Sequence, residues 1–244
     1  MADGLLLLHA WPLDARMWQP QLDALPVGLA LAAPHHPGFG GSEPAGEVMT
    51  MSAAAERALG AMDAAGIDRA LVCGLSIGGY IAFELWRQAR DRFAGLILAN
   101  TRAVADPDEA AAGRRALASR LRAEGNLLAH EPPPLLAADA PAELQRHVRD
   151  LIGQQPADAI AAALLGMADR PDSTPDLATI DVPTLVVTST GDRLIAPEVS
   201  AEMAGQIRGA RLETIEGVGH LTNLESPEVF TALLLEHLSA CGIG

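Results

Sequence analysis

Short apolar segments alternate with helix-like segments along most of this chain, and no other feature of the sequence constrains the fold as strongly. Most of the apolar segments have no polar residue at alternate positions, which is typical of strands buried on both faces. Because such strands separated by helices form parallel sheets, we predict an α/β fold with a doubly wound, mostly parallel sheet. The predicted strands are Leu5–Leu8, Leu29–Ala33, Ala70–Cys73, Gly95–Leu98, Thr184–Thr188 and Arg211–Ile215, and the predicted helices lie near Ala15–Leu25, Ser52–Ala65, Ile77–Arg90, Pro197–Ile207 and Pro227–Leu238.

One long segment interrupts this alternation. Residues 101–176 contain no predicted strand, only helical stretches rich in alanine and arginine that are broken by prolines. A segment of this length could be a simple packing insert, but long insertions in compact domains more often serve function. We therefore expect a core formed by residues 1–100 and 177–244, with residues 101–176 as a helical cap over an active site.

The charge balance excludes several classes of function. Thirty-one acidic residues against 17 basic ones give a net charge of −14, and a field of that sign repels nucleic acids and anionic membrane surfaces. All the basic residues are arginines. Without lysine, the chain cannot form a Schiff base, attach pyridoxal phosphate or build a Walker-type phosphate loop.

Other sequence-wide features favour a cytoplasmic protein. No apolar run approaches the roughly 18 residues of a membrane span, and the first residues lack the basic and apolar regions of a signal peptide. Cys73 and Cys241 are the only cysteines, too few for a disulfide scaffold or a structural zinc site.

The residues Gly74-Leu75-Ser76-Ile77-Gly78 lie between a predicted strand and a predicted helix. This is the G-x-S-x-G pattern in the strand–turn–helix setting of a nucleophile elbow, in which a strained turn presents the serine oxygen above the sheet. Gly74 and Gly78 are expected because a Cβ atom at either position would collide where the strand and the helix pack closely. The pattern predicts that Ser76 is a nucleophile.

A serine nucleophile needs a base, and the base needs an acid that orients it. Asp192 follows the predicted strand Thr184–Thr188, and His220 follows the predicted strand Arg211–Ile215. The chain order Ser76, Asp192, His220, with each residue beyond the end of a strand, is the order of the triad that accompanies this elbow. These three residues are therefore the predicted catalytic triad.

These motifs resemble those of the α/β-hydrolase fold, and in particular the small cap-bearing serine esterases and lactonases. Members of that group include 3-oxoadipate enol-lactonases, cofactor-free haloperoxidases and methyl-ester carboxylesterases. The resemblance extends over nearly the whole chain. It rests on His9-Ala10-Trp11-Pro12, Pro37-Gly38-Phe39-Gly40-Gly41-Ser42, the elbow, Ile180-Asp181-Val182-Pro183-Thr184, Gly191-Asp192 and Gly219-His220.

The resemblance implies an oxyanion hole made of the backbone N–H groups of Trp11 and Ile77. It also indicates departures from the family pattern, since Ala10 replaces a glycine and His35 replaces an aspartate. The family's usual hairpin before the first strand is missing here, because only three residues precede Gly4, so we expect a shorter sheet. His9 is expected to shape its loop by hydrogen bonding.

The adjacent histidines His35 and His36 do not predict a metal site. Neighbouring side chains on an extended segment point apart, and no further ligand pattern accompanies them. Arg114, Arg115, Arg120 and Arg122 are expected to lie on solvated helix faces. One of these, or Arg102, remains a candidate for binding a substrate carboxylate, and Arg102 is the predicted substrate-binding residue.

The predicted function is hydrolysis of a small carboxylic ester or lactone through an acyl-enzyme, with no cofactor and no metal. Two alternatives remain open. A cofactor-independent lyase or synthase could use the same triad as a base, and a ligand-binding receptor could be built on the same scaffold. An intact triad favours an enzyme, because binding alone does not require a paired nucleophile and base.

Overall fold

A six-stranded sheet forms the centre of the computed structural model, which describes residues 2–243. The strand order is β2-β1-β3-β4-β5-β6, and every neighbouring pair is parallel. The predicted parallel sheet is therefore confirmed. The strands are β1 (Ala2–Leu8), β2 (Leu31–Ala32), β3 (Ile67–Leu75), β4 (Phe93–Ala99), β5 (Thr184–Ser189) and β6 (Arg211–Ile215).

The strands at the centre of the sheet are buried on both faces, which explains why their sequences are continuously apolar. All four leucines of Leu5–Leu8 are fully buried, and every residue of β4 and β5 is buried. Such strands need helices on both faces of the sheet. At the edge of the sheet, half-buried and exposed residues alternate along β6 and only its last residue, Ile215, is buried, as expected for a strand with one neighbour.

The helices that separate the strands are α1 (Gln19–Leu22), α2 (Met51–Ala64), α3 (Ile77–Gln88) and α8 (Pro197–Gln206), whereas α9 (Thr222–Glu225) and α10 (Pro227–Ala240) follow β6. Within residues 101–176 lie α4 (Asp108–Glu124), α5 (Ala142–Gly153), α6 (Ala157–Ala168) and α7 (Thr174–Leu177). As expected, no strand occurs in this segment. Among residues 2–243, none of these helices has the length and apolar character needed to cross a bilayer.

Two predicted elements differ in extent from the structure. The helix predicted over Ala15–Leu25 is a 3-10 turn followed by α1, because Pro20 fits the first turn of a new helix but not the interior of a longer one. The strand predicted over Leu29–Ala33 is shortened to β2. The Leu29 N–H donates to Pro26 O in a turn, and Pro34 has no N–H with which to continue the pairing.

The strand order places a crevice at one point of the sheet. The chain runs from β1 outward to β2, and then crosses back so that β3 lies on the other side of β1. Loops that leave the carboxyl ends of β1 and β3 therefore diverge, and ligands of open α/β sheets bind at such a switch point. Trp11 follows β1 and Ser76 follows β3.

The 101–176 segment is docked onto the core through α6. The Met49 N–H, in the loop before α2, donates to Ala162 O of α6 at 3.0 Å. At the same place, Gly166 has no side chain because a Cβ atom would overlap Met49 O. Helix α6 also packs against α4.

Candidate active site

Ser76 sits on a strained turn between β3 and α3. Its φ of 58° and ψ of −117° are unusual for a residue with a side chain, and such a conformation costs about 1–3 kcal/mol unless the surroundings impose it. The surroundings do so here. The Ser76 N–H donates to Ala99 O at 2.9 Å, and Ser76 O accepts hydrogen bonds from the Gly79 N–H and the Thr101 hydroxyl.

The two glycines of the elbow are required for the reason that the sequence predicts. A Cβ atom at Gly74 would overlap the backbone of Gly78, and one at Gly78 would overlap Leu8 O. The helix can therefore begin directly over the strand. Its N-terminus, whose dipole favours negative charge, points at the space above Ser76.

His220 and Asp192 form a buried pair beside this turn. His220 Nδ1 and Asp192 Oδ2 are 2.8 Å apart, and both side chains are at most 1% exposed. Burial raises the pKa of Asp192, but hydrogen bonds from His220, Asn100 and the Leu194 N–H outweigh it, so the pKa lies below its ordinary value. An ionised Asp192 accepts a hydrogen bond from the Nδ1–H of His220, so that Nε2 of the neutral ring is available as a proton acceptor.

Asn100, which no sequence motif indicates, belongs to the same buried network. Its side-chain amide donates to Asp192 Oδ2 at 3.0 Å and to Ser189 Oγ at 2.9 Å, and its Oδ1 accepts from the Thr222 hydroxyl. Asn100 is fully buried and has a φ of 44°. The sequence feature that could have identified Asn100 is its position one residue beyond β4, at the sheet edge that carries Ser76 and Asp192.

The candidate oxyanion donors lie at the same edge. Ile77 is the first residue of α3, and Trp11 lies in the loop after β1. Within residues 2–243, no acceptor is hydrogen-bonded to the backbone N–H of either residue. The indole Nε1 of Trp11 donates to Ile160 O of α6 at 3.2 Å, which ties this loop to the 101–176 segment.

His9, as expected, shapes the loop that carries Trp11. His9 Nε2 accepts the His36 N–H, His36 Nε2 donates to His9 O, both at 2.9 Å, and the two rings stack with centroids 3.6 Å apart. His35 instead accepts the Ala15 N–H, so the adjacent histidines do point to different neighbours. In the described part of the chain, no group of three or more His, Cys, Asp or Glu side chains is arranged so that it could hold a metal ion.

A cavity of about 120 Å³ lies in front of Ser76 and His220. The core and the 101–176 segment both contribute to its wall. The lining residues are Trp11, Ser76, Tyr80, Arg102, Arg114, Pro133, Met167, Leu194, Ile195 and His220. A larger cleft of about 390 Å³ lies between residues 132–138 and α5, but neither Ser76 nor His220 lines it, so the smaller cavity is the candidate active site.

The four arginines predicted to lie on solvated helix faces are not alike. The side chains of Arg115 and Arg120 are half exposed and form surface ion pairs. The prediction of a solvated position is wrong for Arg114. Its guanidinium pairs with the buried Asp106, and the residue lines the cavity. Arg102, the predicted substrate-binding residue, also lines the cavity.

The fold and this site define a class of protein. Residues 5–233 match the Alpha/beta hydrolase family, and the chain belongs to that family. The resemblance found in the sequence is therefore confirmed.

The chain is also similar to particular enzymes. A thermophilic esterase from Thermogutta terrifontis, solved with malate bound, superposes with a TM-score of 0.93 and is 38% identical, covering 99% of this chain and 92% of that one. The pimeloyl-[acyl-carrier protein] methyl ester esterase of Aromatoleum aromaticum is 30% identical, covering 94% of this chain and 96% of that protein. The 3-oxoadipate enol-lactonase 1 of Acinetobacter baylyi is 27% identical, covering 94% and 86%.

Proposed function

We propose that this chain is a serine hydrolase that cleaves a small carboxylic ester or lactone through an acyl-enzyme. The observation that carries the proposal is the meeting of Ser76 and His220 in one cavity, with Asp192 hydrogen-bonded behind His220 at 2.8 Å. The names of the relatives support the bond type, because they include a methyl ester esterase and an enol-lactonase.

In the proposed reaction, Ser76 Oγ attacks the carbonyl carbon while His220 Nε2 takes the hydroxyl proton. Asp192 holds the imidazole and stabilises its positive charge. His220 then returns the proton to the leaving alkoxide, and the carbonyl re-forms as an acyl-Ser76. A water molecule, activated by His220, releases the acid and restores Ser76. No hydrogen bond joins Ser76 to His220 among residues 2–243, and we expect one to form when substrate fills the cavity.

The developing negative charge needs donors that are in place beforehand. The backbone N–H groups of Trp11 and Ile77 have no competing acceptor in the described residues, and they supply this function in the proposal. We also propose that residues 101–176 act as the cap. They contribute Arg102, Arg114, Pro133 and Met167 to the cavity wall, so they exclude water and select the substrate.

The test uses Ser76→Ala, with Ser119→Ala on the exposed face of α4 as the matched control. Removal of a triad nucleophile lowers turnover by about 10⁴ to 10⁶-fold. We expect Ser76→Ala to lose hydrolysis of short-chain esters and labelling by a fluorophosphonate probe, whereas Ser119→Ala retains both. Wild-type rates in a folded Ser76→Ala variant would refute the acyl-enzyme.

Product analysis separates hydrolysis from the alternatives. When the reaction is run in isotopically labelled water, hydrolysis puts one labelled oxygen into the released acid. A lyase or synthase that uses the triad only as a base would release an unlabelled product, and a receptor would release none.

A further inference from the structure

The cavity in front of Ser76 has a cationic wall in a strongly acidic protein. Arg102 and Arg114 both line this cavity of about 120 Å³, although acidic residues outnumber basic ones by 31 to 17 over the whole chain. The other walls are largely apolar, formed by Pro133, Met167 and two residues after Asp192. Two arginines in the wall of a small, largely apolar cavity require an explanation.

Asp106 explains how the arginines are held there but does not neutralise them. Its fully buried carboxylate contacts Arg102 at 3.3 Å, Arg170 at 2.9 Å and the Nε of Arg114. Burial raises the pKa of Asp106, but the hydrogen bonds from Arg170 and Arg114 outweigh it and hold the pKa at about 2. One carboxylate therefore faces three guanidinium groups, and the cluster keeps an excess of positive charge.

Arg170 is the structural member of this cluster. Its side chain is 3% exposed, it donates to Met167 O and Val104 O as well as to Asp106, and its guanidinium lies 4.2 Å from the centre of the Tyr80 ring. It does not line the active-site cavity. The donors that remain available to a ligand belong to the other two arginines.

Those donors are incompletely used. Among residues 2–243, the Arg102 guanidinium forms a hydrogen bond only from Nη2 to Asp106, so that Nη1 has no partner. Beyond its contact with Asp106, Arg114 directs Nη1 at the thioether of Met167, a weak acceptor, at 3.4 Å. Burial opposes the charge on Arg102, but its neighbours Tyr80, Asp106 and Asp192 outweigh burial and raise its pKa, so the guanidinium stays charged.

We propose that Arg102 and Arg114 form a carboxylate subsite inside the active-site cavity. The substrate would then be a small ester or lactone that carries a free carboxylate beside the bond that is cleaved. This inference rests on the proposed hydrolase function and names its substrate class. The planar, bidentate donor set of arginine matches a carboxylate. A cavity well below the roughly 300–1,000 Å³ of pockets for drug-sized ligands favours a small acid.

The kinetic test compares monomethyl succinate with methyl succinamate, a substrate of similar shape whose carboxamide is neutral. The quantity measured is the ratio of kcat/KM for the acid to that for the amide. A charge-assisted contact changes such a ratio by about ten- to a hundredfold. We expect Arg102→Gln and Arg114→Gln to lower the ratio by this factor, mainly through KM for the acid, and Arg114→Lys to lose less.

Arg115→Gln is the matched control. Arg115 is adjacent to Arg114 on α4, but its side chain is half exposed and pairs with Asp169, outside the cavity. This variant should keep the wild-type ratio. If Arg102→Gln and Arg114→Gln also keep it, the subsite is refuted.

A binding measurement separates this inference from the proposed function. Succinate is titrated calorimetrically into folded Ser76→Ala protein, with and without Arg102→Gln, so that no turnover is needed. A tenfold or greater loss of succinate affinity in the double variant supports the subsite even if no ester is hydrolysed. Ester hydrolysis without any effect of Arg102→Gln on succinate binding leaves the hydrolase in place and overturns the subsite.

Discussion

Acid should destabilise this protein through the two stacked histidines under the Trp11 loop. His36 is 2% exposed, and burial lowers its pKa from the ordinary value of 6.5 to about 4, with His35 and Arg57 acting in the same direction. Burial also lowers the pKa of His9. Because His9 Nε2 accepts the His36 N–H, a proton on that nitrogen would break the hydrogen bond that holds the two loops together.

The lowered pKa of His36 determines how much stability is lost in acid and over which pH range. Between pH 6.5 and about 4 the unfolded chain binds a proton at His36 that the folded chain excludes, so the free energy of unfolding falls as the pH falls. The contribution is fully present above pH 6.5 and is lost toward pH 4. One pKa unit is worth about 1.4 kcal/mol, so His36 alone accounts for about 2–3 kcal/mol between pH 7 and 4.5. That is a large share of the 5–15 kcal/mol typical of domains.

The assay is urea unfolding of the wild type and of His36→Gln at pH 7 and pH 4.5. An amide can still donate to His9 O but does not titrate, so the loss of stability between the two pH values should shrink by about 2–3 kcal/mol in the variant. His147→Gln, at an exposed position on α5, should lose as much as the wild type. Equal losses in the wild type and in His36→Gln would refute the reasoning. Stopping at pH 4.5 avoids the range in which Asp106 is protonated.

Three further predictions concern packing and positioning. Gly166→Ala should lower the free energy of unfolding by about 1–3 kcal/mol because its Cβ atom would overlap Met49 O. The control, Gly113→Ala on an open face of α4, should raise the free energy of unfolding by about 0.5–1 kcal/mol. If both variants changed the free energy of unfolding equally, the docking of α6 against Met49 would be contradicted. Thr222→Val removes the donor to Asn100 Oδ1 and should cost about 1–3 kcal/mol and lower kcat more than it changes KM; an unchanged kcat would show that Asn100 does not position Asp192. Glu225→Gln should speed proteolysis within residues 132–137, because Glu225 joins the N–H groups of Gly219 and Ala137; unchanged cleavage would show that this link does not restrain the segment.

Much of the fold could be predicted because its strands are buried on both faces. Segments such as Leu5–Leu8 and Gly95–Leu98 have few alternatives to a covered parallel strand. The elbow could be predicted for a similar reason, since its glycines are imposed by backbone contacts with Gly78 and Leu8. The lengths of β2 and α1 could not be predicted from these patterns, because a single proline or turn determines where each element begins or ends.

The parts that the sequence did not predict depend on polar contacts that no helical or strand periodicity indicates. Nothing local distinguishes Arg114 from Arg115, and only the placement of Asp106 eight residues earlier turns one of them inward. Asn100 likewise acquires its importance from Asp192 and Thr222, which are 92 and 122 residues away along the chain. Such polar networks have no periodicity, so hydrophobic patterns do not reveal them.

The 101–176 segment is hydrogen-bonded to both sides of the candidate active site. Trp11 Nε1 bonds to Ile160 O, and Glu225 bridges the Gly219 N–H, next to His220, to the Ala137 N–H. The Leu221 N–H also donates to Leu135 O. A displacement of this segment would therefore move the loop of one candidate oxyanion donor and the loop of the candidate base together. Because the same segment carries Arg102 and Arg114, a carboxylate bound between these arginines would stabilise the position of the segment in which both loops are aligned. In this protein, substrate recognition and the alignment of the reacting groups are thus expected to be coupled rather than separable.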